Sequence, residues 1–120
     1  MDLIQLTTLL KRHMKDLKAY YESHEPPKNR RDHEFFSFVK TQTEPIHILL
    51  AEWEEKALHT LKQRQGIHVY PQQIISSKEN MRLLIMHSYY IDTRKRIYME
   101  MYKSVQYVLD QLLHDLQSGS

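Results

Sequence analysis

The sequence contains no cysteine, which excludes disulfides, thiolate zinc sites, iron–sulfur clusters and cysteine nucleophiles. Only two glycines and four prolines occur in 120 residues, too little punctuation for a chain of many strands and turns. Mean hydropathy is -0.64 and no apolar run reaches membrane length, so no segment predicts a membrane span. An excess of one charge sign is missing as well. Seventeen Lys and Arg stand against 15 Asp and Glu, giving a formal charge of +2 and a pI near 8.8, far from the imbalance of a nucleic-acid binder. There is no glycine-rich phosphate loop and no G-x-S-x-G turn, so Ser37, Ser76, Ser77, Ser88 and Ser104 read as surface or small packing residues rather than nucleophiles. The opening MDLIQLTTLLKRH has an acid where a secretory leader has its basic region, and no small-residue cleavage site follows. A cytoplasmic protein is expected.

What is present is helical periodicity. Leu3, Leu6, Leu10, His13, Leu17 and Tyr20 recur at three- and four-residue intervals, which predicts an amphipathic helix over 2–24. Pro26 and Pro27 stop it and open a loop that carries Lys28, Arg30 and Arg31. Asp32 is suited to cap the next helix, whose stripe runs Phe35, Val39, Gln42, Ile46, Leu49, Trp53, Ala57 and Leu61. Unbroken, that helix would be about 50 Å long against about 33 Å for the first, at 1.5 Å per residue. A kink or break near Pro45 is therefore expected, giving helices over 33–42 and 45–64. Gly66 marks the end of the second helix and Pro71 the start of the next.

The third helix, 71–92, carries two stripes. Ile74, Met81, Leu84, Ser88 and Ile91 form one, and Leu83, Met86 and Tyr90 the other. A helix apolar on two faces needs central burial or a second cover. Asp92 and Thr93 are placed to turn the chain. A fourth helix, 94–117, then follows on the stripe Ile97, Met101, Val105, Val108, Leu112 and Leu116, with Ser118, Gly119 and Ser120 as a tail. The expectation is one domain, an all-α up-down-up-down four-helix bundle.

In that topology the first and third connections share an end, so Lys28, Arg30 and Arg31 meet Arg94, Lys95 and Arg96. Nine of the twelve aromatic residues fall in the same half: Tyr20, Tyr21, Phe35, Phe36, Phe38, Tyr89, Tyr90, Tyr98 and Tyr102. Rings that stack on bases and guanidinium groups that pair with phosphate would make this end an anion or nucleic-acid platform. The competing and favoured reading is structural: large rings fill the wide end, and the cations answer the carboxyl-terminal dipoles of helices 1 and 3.

Metal chemistry has one cue among eight histidines, the pair Glu44 and His47. Di-metal carboxylate bundles use this E-x-x-H spacing twice, and no second copy exists here. His59, His87 and His114 read as solvated or boundary residues and His13 as a core histidine, so no cofactor or metal is expected. Glu52, Glu54 and Glu55 read as a solvated face, and Trp53 as core. Leu83, Met86 and Tyr90 are the clearest partner signal, a face to be covered either by the first loop or by another protein, including a second copy of the chain.

EFFSFVK at 34–40, Trp53, ALHTLKQR at 57–64, VYPQQI at 69–74, KEN at 78–80 and HSYY at 87–90 together resemble, in order and without gaps, the YppE-like family of small uncharacterised proteins from Gram-positive bacteria. The resemblance spans about 32–113. It implies a four-helix bundle and a cytoplasmic bacterial protein, and it supplies no activity, ligand or site residue. The expected function is thus a non-enzymatic interaction or accessory module. Nucleic-acid or anion binding at the basic end is the first alternative, and a metal-dependent bundle enzyme a distant second.

Overall fold

In a computed structural model that describes residues 1–118, four helices account for the fold: α1 (Leu3–Ser23), α2 (His33–Gln63), α3 (Pro71–Tyr90) and α4 (Lys95–Ser118). Asp2 begins α1 with a reciprocal cap, its carboxylate accepting from the Gln5 amide at 2.8 Å while the Gln5 side chain accepts from the Asp2 amide at 3.0 Å. Asp32 caps α2 as expected, accepting from the Glu34 amide at 2.9 Å. Ser118 belongs to α4 instead of a tail; Gly119 and Ser120 lie outside the described residues.

The expected break at Pro45 is absent. Helix α2 runs through it without interruption for 31 residues, about 46 Å at 1.5 Å per residue, and sets the 49 Å long dimension of the molecule. Thr41 and Pro45 both lie on the exposed side. The carbonyl that loses its amide partner can therefore turn to water, which lessens the cost of an interior proline.

The remaining corrections are small rotations of the stripes. Met14 and Tyr21 enter the core in place of His13 and Tyr20, Thr43 and Leu50 in place of Gln42 and Leu49, and Tyr98 in place of Ile97, which is left exposed. Each substitution moves the buried position by one residue, about 100° around the axis; the buried residues keep a three-four alternation, as in Leu3, Thr7, Leu10, Met14, Leu17 and Tyr21, whose phase differs from the expected one.

The up-down-up-down topology shows in its contacts. Arg30 of the first connection reaches Asp92 of the third, while His68 of the second connection and Arg64 at the end of α2 bond Asp115 and Leu116 near the end of α4. The bundle is flattened. Helices α1 and α3 pack directly on each other, whereas the backbones of α2 and α4 nowhere come within 8 Å among the described residues. Central placement explains why α3 buries Ile74, Ser77, Met81, Leu84, Ile85, Ser88, Tyr89 and Tyr90 around much of its circumference. Two buried polar bonds fix the register: Trp53 Nε1 donates to Thr7 Oγ1 at 3.0 Å, and Tyr98 shares a 2.6 Å hydroxyl bond with Ser88. Burial raises the Tyr98 phenol to about 12, against the lowering effect of its bond to Ser88.

Candidate functional site

Lys28, Arg30, Arg31, Arg94, Lys95 and Arg96 do gather at one end, and all six are exposed. Two of them are spent on local acids. Arg30 bonds the Asp92 carboxylate at 2.5 Å, and Arg96 pairs with Glu100 one turn on. Asp92 also takes the His87 ring nitrogen at 2.5 Å. Burial works against its ionisation, but the His87 bond and the nearby charges of His87 and Arg30 prevail and lower its pKa below the usual carboxylate value. This clamp holds an uncommon backbone: Ile91 ends α3 in the left-handed region with φ of 51°, which costs a β-branched residue about 1 to 2 kcal/mol. Tyr21 adds a hydroxyl bond to the Thr93 carbonyl at 3.2 Å.

The rings beneath are committed to one another. Tyr21 stacks on Tyr98 at 3.9 Å, Tyr20 lies 4.7 Å from Tyr89, and Phe35 meets Tyr90 edge-on at 5.3 Å. Phe38 meets Tyr89 edge-on at 6.1 Å. The buried rings Tyr21, Tyr89, Tyr90 and Tyr98 thus serve packing, while Phe36 and Phe38 stay exposed.

The face of Leu83, Met86 and Tyr90 divides. Tyr90 is buried under Phe35, but Leu83 and Met86 each remain 46% exposed, so the first loop does not cover them. The sequence reading missed two residues that share their surroundings: Ile75, two turns down α3, and Phe36 on α2, both exposed. Phe36, Val39, Thr43, Met86 and Tyr90 line a groove of about 330 Å³ between α2 and α3, with Lys40, Glu44 and His47 on its rim. Along α3 itself the exposed line reads Ile75, Glu79, Arg82, Met86, with Glu79 and Arg82 paired at 3.2 Å. Its spacing of four, three and four residues puts these side chains on one face.

Glu44 and His47, the E-x-x-H pair, sit on that rim, with the imidazole pKa lowered by desolvation and then by Arg82. Among the described residues no group of three or more His, Asp or Glu side chains is arranged to hold a metal ion. No helix there is long and apolar enough to cross a membrane. His59 and His114 are exposed.

At the far end, the sequence reading missed Asp115. Only 4% exposed, it accepts from the His68 amide at 2.7 Å and from Gln111 at 3.0 Å. Burial opposes its charge, yet the His68 and Gln111 bonds outweigh it and hold the carboxyl below its ordinary pKa. An acid four residues after Gln111 at the end of a helix gives little sign in sequence of the loop it will hold.

Comparison with known proteins bears on this geometry. The uncharacterised protein YppE of Bacillus subtilis (strain 168) is 31% identical over 81 residues, 68% of this chain and 66% of that protein, so the match spans just under two thirds of the relative's length. The crystal structure of B. subtilis YppE superposes with a TM-score of 0.84 at 25% identity, covering 96% of this chain and 92% of that one. Its solution structure gives 0.79 at 22% identity over 98% and 95%, a likeness of fold alone. The family model for the bacterial domain of unknown function DUF1798 matches residues 7–116. The chain therefore belongs to the bacterial family DUF1798, whose function is unknown.

Proposed function

We propose that this protein is a non-enzymatic interaction module that associates with a second copy of itself through the outer face of α3. The observation that carries this reading is the order of side chains along that face: apolar, acid, base, apolar, as Ile75, Glu79, Arg82 and Met86. The order is its own reverse complement. Two copies laid antiparallel about a two-fold axis between residues 80 and 81 place Ile75 against Met86 and Glu79 against Arg82, twice each. An isologous contact requires this self-complementarity, and a face recognising an unrelated partner does not.

The size of the face sets the strength. Twenty residues of α3 give a strip about 30 Å long, supplemented by Phe36 from α2. That is the low end of specific interfaces, so association is weak and depends on concentration.

The test is sedimentation equilibrium over a range of concentrations. Leu83→Glu and Met86→Glu are expected to leave the circular-dichroism melt intact while shifting the mass to monomer. Glu79→Arg and Arg82→Glu, each alone, bring like charges together and also give monomers. Mixed one to one, these two variants re-associate as a heterodimer. A monomeric wild type at millimolar concentration, or a mixture that stays monomeric when the wild type does not, refutes the two-fold pairing.

A further inference from the structure

A second concavity, on the other side of α2, has different chemistry. Residues His13 and Asp16 of α1 face Gln42, Pro45 and Ile46 of α2 across a cleft of about 400 Å³, and Tyr89 of α3 closes its inner end. The cleft stands where Pro45 interrupts the amide ladder of α2, and the short or polar side chains opposite do not fill the space. Ile46 and Tyr89 are buried and, with the proline ring, supply an apolar floor.

The polar groups around that floor make no bonds to other described residues and are open to solvent. Tyr89 is more than nine-tenths buried, but its hydroxyl keeps access to water and makes no hydrogen bond within the described residues, where the buried hydroxyl of Tyr98 bonds Ser88. The Asp16 carboxylate makes no ion pair and no hydrogen bond among the described residues, whereas Lys11 and Lys18, on the α4 side of α1, are both paired. The Gln42 amide and the His13 ring are likewise without internal hydrogen bonds. His13 is half-buried, and desolvation lowers its pKa despite the pull of Asp16, so it adds no positive charge near neutral pH. The cleft thus carries one formal charge, which is negative, together with acceptors at Tyr89 and Gln42 and an apolar floor.

The geometry points to a binding site for a small organic cation, a primary amine with an apolar or aromatic body, held by Asp16, Gln42 and Tyr89 over the Ile46 and Pro45 floor. An ammonium group offers three donors, which matches the three acceptors. The exposed Asp16 carboxylate offers a charge-assisted bond, and the body of the ligand gains burial on the floor. This site is separate from the α3 face and does not depend on self-association.

Phenethylamine is the probe, followed by amide chemical shifts of the full chain in ¹H–¹⁵N spectra, with phenethyl alcohol and 3-phenylpropionate as neutral and anionic controls. Saturable shifts are expected in the Gln42 side-chain amide and in residues 13–20 and 42–46, with a dissociation constant on the order of 1 mM. The alcohol should bind at least about tenfold more weakly, and the acid not at all. Asp16→Asn should reduce affinity about tenfold and Tyr89→Phe about threefold, with otherwise native spectra. Equal binding of amine and alcohol, shifts outside the cleft only, or an Asp16→Asn variant that binds as the wild type does would overturn the assignment. Should Tyr89→Phe disturb the fold, the exposed Asp16 variant still decides.

Discussion

At the aromatic end of the bundle the charged groups that hold the connections are still reached by water, whereas at the opposite end the charged group that does so is buried. Arg30, His87 and Asp92 form their clamp with Arg30 largely exposed and the other two partly so. Asp115 bonds the second connection from 4% exposure. The cations that dominate the first end in sequence are mostly solvated and hold little energy. A single buried carboxylate at the second end, inconspicuous in sequence, satisfies a partly buried backbone amide and holds more. Density of charge along a sequence is thus a poor guide to where charge stabilises; desolvation and donor geometry decide it.

Four measurements by urea denaturation would break or sharpen this contrast. Asp115→Asn should have the largest effect, about 2 kcal/mol of destabilisation, because an amide NH₂ is set against the His68 or Gln111 donor it replaces. It should also flatten the acid limb. Asp115 has a folded pKa below its ordinary 3.8, so its contribution is complete above that value and is lost as pH falls through the folded pKa. An unchanged acid limb would show that Asp115 is not the source.

Tyr98→Phe comes next, at about 1 kcal/mol, since the ring stays stacked on Tyr21 while the bond to Ser88 is lost. Its pH signature lies at the alkaline limb. The phenol ionises near 10.0 when unfolded and about 12 when folded, so stability is full below 10 and declines as pH rises towards 12. The variant should lack that decline, as followed by melting between pH 9 and 12. Arg30→Ala should cost less than about 1 kcal/mol, and less still in high salt, because the pair with Asp92 is partly solvated. The smallest effect is expected for Arg94→Gln with Lys95→Gln, within about 0.5 kcal/mol. A larger loss there would reverse the contrast between the ends and give the basic cluster a structural role.

Much of the architecture was legible in residue spacing. The helix starts after Asp32 and at Pro71 follow from capping and proline chemistry, and a turn between α3 and α4 does fall at Asp92 and Thr93, although α3 ends on Ile91 in the left-handed region. The gathering of the six basic residues at one end follows from topology alone. Legibility fails at Pro45, where the outcome turned on whether a freed carbonyl faced solvent. It also fails at His13 and Ile97, where a one-residue rotation exchanged core for boundary. The α3 face was found through Leu83 and Met86. Its partners Ile75 and Phe36 were missed, because exposure depends on which neighbours α3 acquires, and Tyr90 was buried by Phe35, a contact 55 positions away in the chain.

The sequence by itself determined that this chain is four amphipathic helices with caps and stops in known places, because periodicity and backbone chemistry are local properties. Only the tertiary structure decided that α1 and α3 pack centrally while α2 and α4 stand apart. It decided too that Asp115 is buried, that the buried aromatic rings are occupied with one another, and that Asp16 and Tyr89 share an open cleft. Each of these depends on which helix faces lie together, and burial of a charge or a ring is a property of the surroundings it acquires on folding.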